Sequence, residues 1–453
     1  MPTDEINKSL LEQAHQAALA YLEQLPTAAV QSHAYDATVF SSHPHNLPQH
    51  SQAASEVLNE LASFNEHTTK TSGGRYFGFV NGGILPIALA SSWLVDSWNQ
   101  NAALHVMSPL AADIESQCEQ WLIELLGLPT QSVASFVTGS SAGNLCALAA
   151  ARHRILKQKG WNVEQQGMQG APSIRIIASA SAHSSIAKAI AVLGLGTDNV
   201  IAAAVDDQGR VDPEQLPELD ENTILLLQAG NVNSGSFDRF TELCSIANDA
   251  GAWVHIDGAF GLWAAATDNY STLTQGGELA DSWVTDAHKT LNAGYDCGIV
   301  FCKHEADLQA AMSASGSYIQ YSEQRDPMTL GLEMSRRARA IQIWATLKSL
   351  GKDGINTLVE RLCQHARLFA DLLEEAGFTI DNEVVFNQVL IRLDNDQATQ
   401  TLLERIQDCG ELWCGGARWQ GNQVIRLSVC SWMTTSKDIQ ESSKVIINLA
   451  RDL

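Results

Sequence analysis

From about residue 74 onward, short apolar runs alternate with longer stretches of helical spacing. "SIRIIASA", "TILLLQAG", "AWVHIDGAF" and "CGIVFCK" are brief, rich in β-branched or aromatic residues and bounded by turn formers. That is the pattern of strands buried on both faces. Between the strands, "GNLCALAAARHRILKQ" and "FTELCSIANDAG" place apolar residues at helical period. Strands alternating with helices predict an α/β fold built on a doubly wound, mostly parallel sheet. The pattern changes on either side. Residues up to about Gly73 suggest helices and a polar loop, with "MPTDEINKSLLEQAHQ" an amphipathic helix opened by Thr3 or Asp4. After about Met328, a long helix "MSRRARAIQIWATLKSLG" leads into short strands and helices, a smaller α+β domain. The expected organisation is a helical segment over 1–73, a large domain over 74–330 and a small domain over 331–453.

Composition narrows the function. A chain of 453 residues, 45% hydrophobic and 17% charged, has ample core and is long enough for two or three lobes. Its longest apolar stretch, "GGILPIALASSWLV", is broken by Gly, Pro and Ser and falls short of the roughly 20 residues of a membrane span. The start lacks the basic-then-apolar order of a signal peptide. A net charge of −23 without a Lys/Arg block argues against nucleic acid or anionic lipid as a partner. Nine cysteines without CxxC or zinc spacing suggest free thiols in a reducing cytoplasm. The three histidines of "SSHPHNLPQHSQ" fit no metal-ligand spacing, and a solvated loop is expected there.

In doubly wound sheets, ligands sit beyond the carboxyl ends of the strands. Gly139, Ser140 and Ser141 of "FVTGSSAGNLCALAAAR" precede a helix, where free amides and hydroxyls can seat a phosphate; an ordinary helix capped by Ser141 is equally open. His183 of "SASAHSSIAKAI" caps a helix or lies flat against another ring. Asp257 ends "AWVHID" among small residues and needs a cationic or donor partner. Lys289, in "DSWVTDAHKTLNAGYDCG", has mostly apolar company, and in a partly dry site its amine would have a lowered pKa and react with an aldehyde. Taken together, phosphate seat, stacking imidazole, acid and amine are the parts needed to hold pyridoxal 5′-phosphate.

With those residues in place, the chain resembles the group II pyridoxal-phosphate decarboxylases, relatives of the aromatic-amino-acid, glutamate and diaminobutyrate decarboxylases. The resemblance runs from "RYFGFVNGGILP" to "VIRLSVCSW", and "DAHK" and "DCG" are its most specific pieces. It implies the fold-type-I, aspartate-aminotransferase-like architecture and a homodimer with active sites at the interface. By position it makes Lys289 the lysine that condenses with the cofactor, Asp257 the partner of the pyridine nitrogen, His183 the stacking ring and Ala259 the contact on the opposite face. It places Gly139, Ser140, Ser141 and His288 around the phosphate, with Asp286 beside them, and Arg426 at the substrate carboxylate. Tyr76, Phe77 and Asn81 resemble substrate-pocket positions, although Phe77 and Phe79 could equally be core. The chain departs from the pattern at Thr290, where relatives carry Trp, and at "GNVNSG", where Asn231 stands in for a Gly-Thr-Thr stretch and could still donate near the cofactor.

The implied reaction is decarboxylation of an L-amino acid to a primary amine, with His183 or a loop tyrosine, Tyr318 or Tyr321, returning a proton to Cα. Transamination, oxidation to an aldehyde and retro-aldol cleavage use the same cofactor and stay open, as does a silent cofactor-binding subunit. Trp98, Trp413, Trp419 and Trp432 are expected to be packing residues. Arg336 and Arg337 begin the long helix, either orienting a loop or interface or simply solvated.

Overall fold

The computed structural model of the chain describes residues 8–31, 46–314, 321 and 323–453. The expected helix start at Thr3 or Asp4 lies outside them; the helix runs Lys8–Gln24 and buries none of its residues fully. The fold is entered through β1 (Tyr76–Phe77), which joins a smaller sheet described below. The larger sheet holds β2 (Val133–Val137), β3 (Arg175–Ser179), β4 (Val200–Ala203), β5 (Thr223–Gln228), β6 (Trp253–Asp257), β7 (Ser282–Asp286) and β8 (Gly298–Cys302). Their order is β2-β8-β7-β6-β5-β3-β4. Strands β3 to β7 pair in parallel, whereas β8 runs antiparallel to both its neighbours. The cause is local. The link between β7 and β8, residues 287–297, is too short for a crossover helix, so the chain turns straight back. Lys289 lies in that link.

Each strand feeds two cores. Ile177, Leu225, Leu227, Val254 and Ile256 face helices Pro109–Leu125 and Phe240–Asp249. Ile176, Ile224, Leu226, Trp253 and Val284 face helices Ser140–Gln158 and Ser184–Val192. Neighbours in sequence thus enter opposite layers, as strand pleating demands. The near-continuous apolar runs are the consequence of this two-sided burial.

The smaller sheet has the order β1-β11-β12-β10-β9, adding β9 (Thr379–Ile380), β10 (Gln388–Arg392), β11 (Trp413–Trp419) and β12 (Asn422–Ser428). Helices Asp396–Cys409 and Ser436–Ala450 and the second half of helix Arg339–Glu375 cover it with Leu402, Ile406, Ile439, Ile446, Leu362 and Phe369. The long helix is interrupted at Gly351, whose φ of 61° and ψ of −178° only glycine adopts without strain.

Arg336 and Arg337 precede this helix instead of opening it. Arg336 is 6% exposed, donates to Glu115 Oε2 at 2.7 Å and to the Phe136 carbonyl at 3.0 Å, and so is no solvated surface residue. Among the described residues, no helix is long and apolar enough to cross a membrane, and no group of three His, Cys, Asp or Glu side chains could hold a metal ion.

Candidate active site

Asp257 and Asp286 end adjacent parallel strands and bring two carboxylates to one edge of the sheet. Asp286 is saturated from within. Its Oδ1 accepts the Ser140 amide at 2.6 Å, and its Oδ2 accepts the Ser140 hydroxyl at 2.9 Å and pairs with Lys289 Nζ at 2.8 Å. His288 Nε2 lies 3.6 Å from the same oxygen. Burial opposes the Lys289 ammonium, but the charge and hydrogen bond of Asp286, with Asp257 behind it, outweigh that and hold the amine above its ordinary pKa. The lowered value expected from its apolar neighbours is therefore corrected: a carboxylate three residues upstream reverses the sign.

Asp257 is less committed. Its Oδ2 accepts Asn144 Nδ2 at 3.0 Å and its Oδ1 accepts the Ala259 amide at 3.1 Å, which leaves lone pairs for another donor. Ala259 is half-buried beside it. His183 caps the next helix, its Nδ1 accepting the Ser185 amide at 3.2 Å and lying 2.8 Å from Ser185 Oγ. Burial lowers the His183 pKa; Asp257 and Asp286 pull it up, while Lys289 and Arg426 push it down. Through Ser185 Oγ and the Asn144 amide, His183 is joined by hydrogen bonds to Asp257. Arg426 donates to the Val232 carbonyl at 2.8 Å, and among the described residues no carboxylate pairs with it. Desolvation lowers its pKa.

Gly139 occupies the cap position of helix Ser140–Gln158 without a side-chain cap, so Ser141 is not the N-cap. Ser141 is exposed, its hydroxyl has no hydrogen-bond partner among the described residues, and it stands at the positive end of this 19-residue helix. A Cβ on Gly139 would lie 3.4 Å from His288 Cε1, and one on Gly298 would strike the Gly139 backbone at 2.5 Å. Side chains there would close the space between the helix start and the lysine turn. Asn231 Nδ2 donates to Ser181 Oγ at 3.0 Å, and its Oδ1 accepts the Asn233 amide at 2.9 Å, so "GNVNSG" forms a turn held by its own asparagine. Thr290 is fully buried and donates to the Phe260 carbonyl at 2.8 Å.

Other expectations change. Phe77 is 0% exposed and meets Phe369 edge-on, so it packs in the core of the smaller sheet. Phe79 is 61% exposed and stacks on Trp413, which also stacks on Tyr76. Trp98, expected to be packed, is 46% exposed. Tyr318 lies outside the described residues. Tyr321 is exposed, its hydroxyl donating to the Ala314 carbonyl.

Several residues of the site escaped the sequence. Tyr295 stacks on His288 with centroids 4.4 Å apart and donates to Asn81 Oδ1 at 2.8 Å, drawing Asn81 to the lysine turn. Gly82 touches that turn directly, since a Cβ there would sit 2.0 Å from the Lys289 carbonyl oxygen. Buried Asn292 ties the region together. Its Oδ1 accepts the amides of Gly83 at 2.6 Å and Trp432 at 2.9 Å, and its Nδ2 donates to the carbonyls of Lys289 at 3.2 Å and Cys430 at 3.0 Å. Asn144 and His255 are fully buried behind Asp257. Trp253, His255 and Asp257 alternate along β6 and so share a face. That period of two was the one available signal for His255.

The family described as "Pyridoxal-dependent decarboxylase conserved domain" matches residues 38–394. The acidic amino acid decarboxylase GADL1 of Mus musculus is 28% identical over 337 residues, 71% of this chain and 60% of that protein; the chain thus spans about three fifths of its length. The aromatic-L-amino-acid decarboxylase of Drosophila lebanonensis is 26% identical over 359 residues, 74% of this chain and 88% of that one. The crystal structure of Oryza sativa TDC with PLP and tryptamine superposes with a TM-score of 0.92 at 20% identity, covering 100% of this chain and 99% of the other, a likeness of fold.

Proposed function

Because the chain belongs to the pyridoxal-dependent decarboxylase family, we propose that it uses pyridoxal 5′-phosphate to decarboxylate an L-amino acid to its primary amine and CO2. The observation that carries the proposal is the meeting of two strand ends at one edge of the sheet: Lys289 paired with Asp286 at 2.8 Å, and Asp257 on the adjacent strand held by an amide and a backbone N–H with lone pairs to spare. An amine, an acid with spare lone pairs, an imidazole bonded to that acid through Ser185 and Asn144, and a guanidinium that pairs with no carboxylate among the described residues fit this cofactor and its substrate. The partnerless Ser141 hydroxyl at a helix start and the glycine-lined gap beside His288 fit its phosphate.

When bound, the cofactor supplies an aldehyde for the amine and a cationic ring that draws electrons from the bond breaking at Cα. The side chains do the rest. Asp257 would hold a proton on the ring nitrogen, because an adjacent negative charge favours the protonated form. His183 would cover one ring face, with Ala259 on the other. Ser141, Gly139 and His288 would hold the phosphate, with Asn231 near the cofactor. Ser140, spent on Asp286 by both its donors, positions that carboxylate instead. Lys289 must shed its proton before reacting, and Asp286 at 2.8 Å is the first group to receive it. Arg426, anchored on Val232, orients the substrate carboxylate, and His183 or Tyr321 returns a proton to Cα.

The proposal extends to the assembly. Apolar side chains stand exposed between Ile87 and Met107, among them Trp93, Leu94, Trp98 and Val106, a surface suited to a second copy of the chain. All nine cysteines are free and eight are buried, which suits a reducing cytoplasm. The test is borohydride reduction of the cofactor-loaded protein, followed by peptide mapping, beside a panel of amino acids assayed for both CO2 and amine. A tag on Lys289 and stoichiometric release of the two products are expected. Amino transfer dependent on an added 2-oxo acid would replace decarboxylation with transamination. Lys289→Ala should lose the tag and lower turnover by on the order of 10³-fold or more.

A further inference from the structure

The polar groups behind Asp257 form a chain whose donors and acceptors admit a single direction. Asn144 must turn its NH2 toward the Asp257 carboxylate at 3.0 Å, so its oxygen faces His255 Nε2 at 2.8 Å. That nitrogen must therefore carry a proton. Burial pushes His255 down to about 4, so the ring is neutral near pH 7 and its Nδ1 is bare. Ser282 Oγ, 2.9 Å from that Nδ1, already accepts the Trp253 indole N–H at 3.0 Å and has its own proton to give. At the other end, the second proton of the Asn144 amide goes to Ser185 Oγ at 3.1 Å. Ser185 then donates its hydroxyl to His183 Nδ1, which also accepts the Ser185 amide. His183 is left with its proton on Nε2.

We propose that Asn144 is a positioning residue that links His255 to Asp257 and, through Ser185, to His183, fixing both imidazoles as their Nε2–H tautomers. One side chain then sets two properties of the site. It orients the carboxylate assigned to the ring nitrogen, and it makes His183 a donor and never a base toward its uncommitted side. Two bonds from one amide also couple the groups: a shift of Asp257 moves Ser185 and the His183 ring with it. The fold supports this placement. Asn144, Ser185 and Ser282 are buried, and Gly143 lets the helix that carries Asn144 approach β7 so closely that a Cβ there would lie 2.9 Å from Val284.

The inference rests on the assignment of Asp257 and His183 to the cofactor, but its first test does not need the cofactor. Two-bond ¹H–¹⁵N correlation on ¹⁵N-histidine-labelled protein reads each ring's protonation directly, with and without pyridoxal phosphate. The two signals are assigned among 13 histidines by their loss in His183→Gln and His255→Gln. Both rings are expected to show a bare Nδ1 and a protonated Nε2; a proton on Nδ1 of either ring overturns the chain. Asn144→Ala removes the acceptor of His255 and is expected to convert its single tautomer into a mixture. It should also weaken retention of pyridoxal phosphate by roughly 10- to 100-fold, the worth of a hydrogen bond to a buried charge. A His255 signal unchanged in this variant overturns the role of Asn144. Should it not fold, Ser185→Ala decides: the His183 Nδ1 resonance must move, and Ser185→Thr must restore it. If borohydride tags no lysine while both tautomers hold, the cofactor assignment fails and the hydrogen-bond chain stands.

Discussion

The ends of β6 and β7 lie side by side, and each closes on an aspartate. Asp286 meets a cation at 2.8 Å and both donors of one serine, whereas Asp257 meets a neutral amide and a backbone N–H. The first carboxylate is consumed by the protein. The second is oriented by it and left open. The difference separates a group that builds the site from a group that serves it, and no property of the aspartates themselves distinguishes them. What differs is the part of one helix that stands opposite: Ser140, its first residue, reaches Asp286, and Asn144, one turn further in, reaches Asp257.

Exchanging each carboxylate for its amide tests that contrast most strongly. Asp257→Asn keeps the shape but removes the charge that would hold a proton on the cofactor ring. Turnover is expected to fall about 10²–10⁴-fold, with little loss in a denaturant titration of the cofactor-free protein. A variant of normal activity would return Asp257 to a merely structural role. Asp286→Asn should behave in the opposite sense. Breaking one side of a buried pair costs about 3–5 kcal/mol, read from urea unfolding, and the Lys289 pKa should fall because burial is then opposed chiefly by the more weakly acting Asp257. In the parent, the raised Lys289 value contributes stability that is complete below the ordinary lysine pKa and is lost as pH rises through the folded value.

His255 sharpens the comparison from the Asp257 side. Its folded pKa of about 4 lies below the unfolded value of 6.5, so its contribution is whole above about pH 6.5 and disappears as pH falls toward 4. The gap corresponds to about 3 kcal/mol, and the stability of His255→Gln should be flatter across that window. An equal slope in parent and variant would remove His255 from the account. The smallest effect is expected at Ser140→Ala, which takes the hydroxyl but not the amide from Asp286. A loss of about 1.5 kcal/mol is predicted, with the Lys289 tag retained.

Much of this was legible along the chain, because strand ends are marked by where apolar runs stop. Asp257, Lys289, His183 and Gly139 all follow such stops, and doubly wound topology puts them on one edge. Pairings were harder. Asn144 lies one turn into its helix between Gly143 and Leu145, and only the register of that helix over β6 gives it His255 and Asp257 as neighbours. Phe77 and Phe79 share a residue type and a stretch of sequence, yet one enters the core and the other faces outward. The backbone decides, for Phe79 takes a positive φ of 54° and leaves the strand's alternation. Arg336 was misplaced for a related reason. Its partner Glu115 is 221 positions away, a distance over which periodicity carries no information. Lys289 went wrong in sign and not in place, since counting apolar neighbours ignores the geometry of a turn that folds Asp286 back onto the amine.

Asn292 joins stretches of the polypeptide that are 209 and 138 positions away from it. The larger sheet can therefore be complete while the floor beneath the amine is still missing, because that floor waits for residues near 83 from one side and 430 from the other. Closures across such spans come at high loop entropy and late in assembly. Retention of pyridoxal phosphate is thus expected to need both distant stretches in place against the lysine turn.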